Sequence, residues 1–340
     1  MNPDVHSEMP WHGVGIAFSR MAFECRMTEY RAYGFTSYGG PEQQEYLTLP
    51  LPQAGPGQLL VEVRAAGVNP GDWKVRSGQA AKPSATGVPS AADLPGVLGR
   101  EAAGIVRAVG PGVTGFAVGD EVFGTTDPAF GGYAEFTVLA AAQTAHKPPQ
   151  VGFEQASVLT VAAGTAHDAL HALDLEKGRT LLVNGVGGGV GVAVAQLARA
   201  RGITVVGTAG ERKRSLVESF GVTLVPRGEG VVERLRRQLP QGTADALIDL
   251  VGGDSLRELA TLVTDRARLL SCADKPLAAE LGGGEVPRRR TTAVYAEVAR
   301  LVADGELDPQ VTVLPFAEAG AALAEVEAGH AQGKIALRIS

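Results

Sequence analysis

One run constrains this chain more than any other. From Leu181 to Ala198 it is apolar almost throughout, yet five glycines fall between Gly185 and Gly191. A run of this length and hydropathy raises the question of a membrane helix. The glycines argue against it, since each weakens a helix by up to ~1 kcal/mol relative to alanine. Three elements satisfy the pattern better. A short buried strand, Thr180–Asn184, enters a glycine turn, Gly185–Gly191, and a helix then runs through about Arg201 and stops at Gly202. A second strand, Ile203–Thr208, follows. A strand apolar on both faces belongs in a parallel sheet covered on both sides. Strand, glycine turn, helix and strand in this order form the βαβ unit that holds a dinucleotide. The glycines, Gly185-x-x-Gly188-x-x-Gly191 with Gly187 and Gly189 between them, let backbone approach a pyrophosphate at the head of the helix.

The end of the second strand bears on the choice of dinucleotide. A site for NAD usually carries Asp or Glu there for the adenosine ribose. This chain has Gly207-Thr208-Ala209-Gly210, followed by Glu211-Arg212-Lys213-Arg214. A 2′-phosphate would be repelled by a carboxylate and held by a guanidinium, so the pattern favours NADPH. A solvated first helical turn would carry the same cations, and Glu211 tempers their field.

Bulk properties exclude several classes. The 340 residues suffice for two domains with cores of their own. A net charge of −6 provides no broad basic surface for nucleic acid, and 5% aromatic content disfavours a stacking platform for bases. Cys25 and Cys272 are too few for a disulfide framework or a cysteine-rich zinc lobe, which points to a reducing cytoplasm. Met1–Arg26 shows neither periodicity nor the marks of a signal peptide and is expected to be a disordered extension upstream of a working start near Met27.

Before the glycine turn the chain reads as short strands with Gly-rich turns. They are Arg31–Phe35, Leu59–Ala65, Gly104–Val109, Glu121–Phe123 and Gly131–Val138, with a short helical piece after Ala66. This predicts a barrel-like β domain; Gln79–Pro95 is expected to be a mobile surface loop. After the turn, helices at Ser215–Phe220, Val231–Leu239 and Ser255–Val263 alternate with strands at Val222–Val225, Ala244–Leu250 and Ala267–Cys272, giving a sheet of at least five strands. Thr292 is placed to cap a last helix, and the strand Lys334–Ile339 is expected to rejoin the first domain.

Taken together, these residues resemble the medium-chain dehydrogenase/reductase superfamily, in its zinc-independent quinone oxidoreductase branch, over nearly everything from Tyr30 to Ser340. The blocks are Tyr38-Gly-Gly-Pro41, Ala66-Gly-Val-Asn-Pro70, Gly99-Arg-Glu-Ala-Ala-Gly104, Gly119-Asp-Glu-Val-Phe-Gly124, Gly131-Gly-Tyr-Ala-Glu135, the glycine turn, Asp249-Leu-Val-Gly-Gly253 and Gly333-Lys334. The resemblance implies an α/β chain with a GroES-like, β-rich catalytic domain (27–151) and a doubly wound parallel Rossmann domain (152–290). The last Rossmann helix and the return to the catalytic domain would occupy 291–340. It also implies a cleft between the domains and a homodimer joined through the Rossmann sheets.

Alcohol dehydrogenases share this scaffold and carry zinc, which needs Cys, His and carboxylate ligands converging with one open position. Where they have their first Cys and a Gly-His-Glu, this chain has Asn69 nearby and Gly99-Arg100-Glu101. His167 and His171, one helical turn apart, lack a third ligand, and no metal is expected. The implied chemistry is hydride transfer from NADPH to a quinone or an α,β-unsaturated carbonyl. Alternatives are an enoyl reductase acting on a polyketide or acyl intermediate, and a non-catalytic NADPH-binding protein.

By similarity Asn69 and Asp72 stand in the cleft near the nicotinamide, and Thr165 touches the cofactor. Lys74 occupies a place where many relatives have Tyr; it could donate a proton, or lay its stem on Trp73. Gly185, Gly188, Gly189, Val190 and Gly191 match the pyrophosphate site. Arg212 matches the 2′-phosphate site, with Lys213 as a second candidate and Gly210 in place of a frequent Ser. Val251, Gly252, Ser271 and Cys272 should line the nicotinamide end, with Cys272 also readable as an apolar filler. Lys334 could contact the cofactor or pack at a dimer interface. Arg288–Arg290 reads as a solvated run.

Overall fold

The computed structural model describes residues 28–79 and 94–340. The expected N-terminal extension and nearly all of the Gln79–Pro95 loop lie outside the described residues.

Two main sheets divide the chain. The strands of the first part are β1 (Glu29–Phe35), β2 (Gln44–Pro50), β3 (Gln58–Val68), β4 (Gly96–Val97), β5 (Glu101–Val109), β6 (Glu121–Thr126) and β7 (Phe136–His146). Those of the second are β8 (Thr180–Asn184), β9 (Thr204–Ala209), β10 (Thr223–Pro226), β11 (Ala246–Asp249), β12 (Leu269–Ser271) and β13 (Gly284–Glu285). The tail adds β14 (Val311–Pro315) and β15 (Lys334–Arg338).

The second sheet runs β10-β9-β8-β11-β12-β13, parallel throughout. Every residue of β8 is buried, as its unbroken apolar character requires. The strand order reverses between β8 and β11, so their carboxyl ends open the crevice where this architecture takes its ligands. The catalytic sheet runs β14-β15-β3-β5-β6-β7, and β3 also pairs with β7, curling it toward a barrel. Two of its strands, β14 and β15, come from the tail, and β15 pairs with β3.

Three expectations need correction. The helix after the glycine turn begins at Gly189, capped by Gly188, rather than after Gly191. Gly191 therefore lies inside the first turn, where a Cβ would stand 2.4 Å from Val186 O; only glycine permits this approach of the helix to the turn before it. The expected strand Gly131–Val138 starts at Phe136 and continues to His146. Gly131 is pressed against the carbonyls of Val97 and Leu98, while Tyr133 O accepts from Tyr33 N (2.7 Å), so this stretch crosses to the small β2-β1-β4 sheet instead. The Thr292–Ala303 helix is capped by Thr291, whose hydroxyl accepts from Val294 N, while Thr292 Oγ1 donates to Ala142 O on β7. Sequence reading also missed β2, β14 and the helix Ala319–Glu327.

Candidate functional site

A cleft of about 2100 Å³ separates the two sheets and is lined from both. Its volume exceeds that of an ordinary small-molecule pocket and leaves room for a dinucleotide together with a second reactant.

The Rossmann wall begins at the head of the Gly189–Ala200 helix. Its first bond runs from Val192 N to Gly188 O (2.9 Å), so the preceding amides of Gly189, Val190 and Gly191 head the helix as an anion-binding end. Gly185, Gly188, Gly189 and Val190 line the cleft, and Gly191 lies behind it. Asn184 anchors the crevice between β8 and β11: Nδ2 donates to Asp249 Oδ1 (2.8 Å), and Oδ1 accepts from Thr208 Oγ1 (2.7 Å).

At the tip of β9, Gly210, Arg212 and Lys213 all reach the cleft. Lys213 is largely engaged elsewhere. Its Nζ donates to Ala331 O (2.5 Å), and burial followed by the nearby Arg227 and Arg212 pushes its pKa down. Arg212 has no hydrogen-bond or ion-pair partner among the described residues. Arg227, which sequence reasoning did not single out, stands beside it. The register Pro226↔Ala209 and the bond from Arg227 N to Ala209 O (3.1 Å) carry it to the end of β9. Glu211 is paired with Arg214 at 2.5 Å, and Glu229 also lines the cleft near Arg227.

On the catalytic wall a buried network replaces a metal site. Glu101 is 0% exposed and accepts from Asn69 Nδ2 (2.9 Å), Thr160 Oγ1 (2.7 Å), Val161 N (2.8 Å) and Lys334 Nζ (3.0 Å). Lys334 Nζ also donates to Val68 O (2.9 Å) and Asn69 Oδ1 (2.5 Å), so its three hydrogens go to protein acceptors. Its stem crosses the glycine turn, where a Cβ on Gly189 would collide with Lys334 Cδ. Lys334 and Asn69 both line the cleft, and the Lys334 stem packs on the glycine turn of the opposite wall.

Asp72 does not line the cleft. It is 1% exposed at the start of the Pro70–Arg76 helix, where Oδ2 accepts from Asn69 N (2.9 Å) and Tyr133 OH (2.8 Å). Burial pushes its carboxyl up to about 6, against the opposing pull of Tyr133, Asn69 and Lys334. Lys74 does line the cleft, with Nζ 5.6 Å from the centre of the Trp73 ring. Thr165 lines it from the Gly164–Leu173 helix.

At the far end Val251 is 53% exposed to the cleft, and Cys272 lines it with its thiol pushed up to about 11 by burial. Gly252 and Ser271 lie behind. Gly252 N donates to Asp249 Oδ1 (3.0 Å) and Ser271 Oγ to Asp249 Oδ2 (2.6 Å), which shapes the ends of β11 and β12. Arg288, Arg289 and Arg290 all line the cleft, with Arg289 and Arg290 exposed as a solvated run would have them.

Zinc does not fit this donor set. Among the described residues no group of three or more His, Cys, Asp or Glu converges. Glu101 is saturated by its own donors, and His167 faces Arg289 at 3.2 Å. Among the described residues no helix is long and apolar enough to cross a membrane.

Comparison with known proteins agrees with this architecture. Residues 55–149 match the alcohol dehydrogenase GroES-like domain, and 220–337 match the family described as zinc-binding dehydrogenase. The quinone oxidoreductase of Rattus norvegicus is 33% identical over 271 residues, covering 77% of each chain. The structure of a quinone oxidoreductase from Coxiella burnetii superposes with a TM-score of 0.83 at 26% identity, over 92% of this chain and 100% of that one. A mycobacterial structure complexed with NADPH has a TM-score of 0.78 at 29% identity, covering 91% and 100%. With this sequence kinship, and a β barrel and Rossmann sheet enclosing one cleft, the chain belongs to the quinone oxidoreductase-like branch of the medium-chain dehydrogenase/reductase superfamily of oxidoreductases.

Proposed function

We propose that this protein is an NADPH-dependent reductase of quinones or α,β-unsaturated carbonyls that works without a metal. The observation that carries the reading is the pair Arg212 and Arg227 at the tip of β9, unpartnered where an NAD site would present a carboxylate. Two guanidiniums that line a cleft with neither engaged in an ion pair among the described residues suit a phosphate on the adenosine ribose. NADPH, when bound, supplies the hydride.

The chain's own residues do the rest. The amides at the head of the Gly189–Ala200 helix take the pyrophosphate, with the glycines clearing its approach. Val251, Cys272 and Thr165 give the nicotinamide end a wall that keeps water away. Glu101 and Lys334 hold Asn69 so that its amide is fixed on three sides, and Asp72 fixes its backbone N–H. Asn69 and Asp72 are thus positioning residues. Lys74 is the group that can support negative charge growing on a carbonyl oxygen, and then protonate it. We place a homodimer at the β13 edge of the Rossmann sheet, to be read by sedimentation, and a cytoplasmic setting suits the free thiol.

The test follows the absorbance of the reduced nicotinamide with 1,4-naphthoquinone and a conjugated alkenal. Turnover with NADPH is expected, and Arg212→Ala and Arg227→Ala should each raise the Kd for NADPH about tenfold or more while leaving NADH nearly unchanged. Equal losses for the two coenzymes would remove the argument. Should NADPH raise the melting temperature with no acceptor reduced, a binding protein is the right description.

A further inference from the structure

Besides Arg212, Lys213 and Arg227, the cleft is lined by a second group of cations that includes Arg100, Arg288, Arg289 and Arg290. Basic side chains outnumber acidic ones two to one among the lining residues, in a chain whose net charge is −6. Two of these, Arg100 and Arg290, line the same cleft and lie near enough for the charge of Arg100 to act on Arg290. Arg100 precedes β5, and its carbonyl accepts from Thr126 N (3.1 Å). Thr125, paired in register with Glu101, hydrogen-bonds the hydroxyl of Tyr295 (2.8 Å). Tyr295 lies in the first turns of the helix that begins just after Arg290, so this contact brings the two guanidiniums to one wall.

No carboxylate neutralises them. Asp168 is the nearest acid on the neighbouring helix, and both its oxygens are taken by Arg289, through N (2.7 Å) and Nε (2.8 Å). Glu285 is paired with Lys275, and Glu101 is enclosed by its own donors. Neither Arg100, Arg288 nor Arg290 has a hydrogen-bond or ion-pair partner among the described residues. Crowding by the cleft wall, then Arg288 and Arg100, pull the pKa of Arg290 down, the signature of a cation lacking its counter-charge. Arg290 is also held at φ 45°, a left-handed conformation unfavourable for a long L side chain. Arg289, clamped on Asp168, fixes the segment in that shape.

We propose that Arg100 and Arg290 form an anion subsite and that the substrate carries a carboxylate, sulfonate or phosphate ester that binds there. This rests on the reductase reading above and narrows its substrate class. The charge could belong to the acceptor itself or to a phosphate-bearing carrier joined to it as a thioester; both present the same oxyanion to the two forks.

The test uses the full chain and two variants, Arg100→Gln and Arg290→Asn, asparagine being tolerant of the left-handed backbone. NADPH oxidation is compared for 1,4-naphthoquinone, 1,2-naphthoquinone-4-sulfonate and crotonyl-coenzyme A. The wild type should prefer an anionic acceptor, and each variant should cut that preference in kcat/KM about tenfold to hundredfold, mainly through KM. Selective loss with the sulfonate assigns the charge to the acceptor, and selective loss with the thioester assigns it to the carrier. Absence of any preference in the wild type, or its survival in both variants, overturns the proposal. So does a rise in the Kd for NADPH as large as the loss of preference, since the arginines would then serve the cofactor. Calorimetric titration with naphthalene-1-sulfonate, which accepts no hydride, reads the subsite without turnover. Binding lost in both variants, in a chain that reduces nothing, would keep the subsite and discard the reductase; no binding to wild type would discard the subsite.

Discussion

Lys334 at the start of β15 and Glu101 at the start of β5 form a buried ion pair within the catalytic sheet, and separating them should be costly in a particular way. The carboxylate is fully buried and the ammonium 5% exposed, with Nζ and Oε1 3.0 Å apart. At an effective dielectric of about 20 their gross attraction is roughly 5–6 kcal/mol, much of it offset by desolvation of both ions. Lys334→Met leaves Glu101 charged and buried with only Asn69, Thr160 and Val161 as donors, a loss of about 3 kcal/mol. Glu101→Gln leaves the ammonium with two neutral acceptors and should cost a similar ~3 kcal/mol. The double variant carries no orphaned charge, and its glutamine can still accept from Thr160 and Val161. It should therefore be no less stable than either single variant, a coupling of about 3 kcal/mol. Urea unfolding followed by far-ultraviolet circular dichroism measures all four chains. Additive losses, with the double variant about 6 kcal/mol below wild type, would show that the pair does not act as a unit.

Asp72 has its pKa raised from 3.8 to about 6, so the folded chain holds that proton more tightly than the unfolded one. Its contribution is complete below about pH 4 and is lost as pH rises through about 6, which amounts to roughly 1.4 kcal/mol between pH 5 and 8. The stability of Asp72→Asn relative to wild type should grow by about that much over the interval; a flat difference would contradict the shift. With its thiol pushed up to about 11, Cys272 is roughly a thousandth thiolate at pH 8. Mass spectrometry should find its alkylation by iodoacetamide at least about a hundredfold slower in the folded chain than in urea, and comparable rates would place the sulfur in solvent. Gly210 has φ −70° and open space where a Cβ would stand, so Gly210→Ser should fold normally. One added hydrogen bond should tighten NADPH about two- to tenfold with no gain for NADH, and an equal gain for both would move the phosphate elsewhere.

What the sequence disclosed follows the range over which its signals act. The glycine turn was legible because strand, turn and helix are local, and β8 lies at the predicted residues. That Arg212 lines the cleft was legible for the same reason, since it lies a few residues beyond β9. Arg227 was not, because its place depends on the register of β10 against β9 rather than on any neighbour in the chain. Glu101 was noted only as standing where a metal-binding block would be. Its real partners are Lys334, more than two hundred residues away, and Thr160, and no periodicity connects them. That the largely exposed Arg288–Arg290 run lines the cleft was hidden for the opposite reason. A run of charge is solvated by default, and only the packing of Arg289 on Asp168 turns it into the cleft. Asp72 shows the limit of position by analogy, since its carboxylate faces Asn69 N and Tyr133 and so acts on the cleft through Asn69.

The central claim is that the adenosine end of the cleft is built for a phosphorylated ribose. Equilibrium titration of the full-length chain with NADPH and NADH, followed by the fluorescence of the reduced nicotinamide, tests it most directly. The account predicts a Kd at least about tenfold lower for NADPH, with the difference shrinking as salt screens Arg212 and Arg227. Equal affinity for the two coenzymes, or tighter binding of NADH, would contradict it.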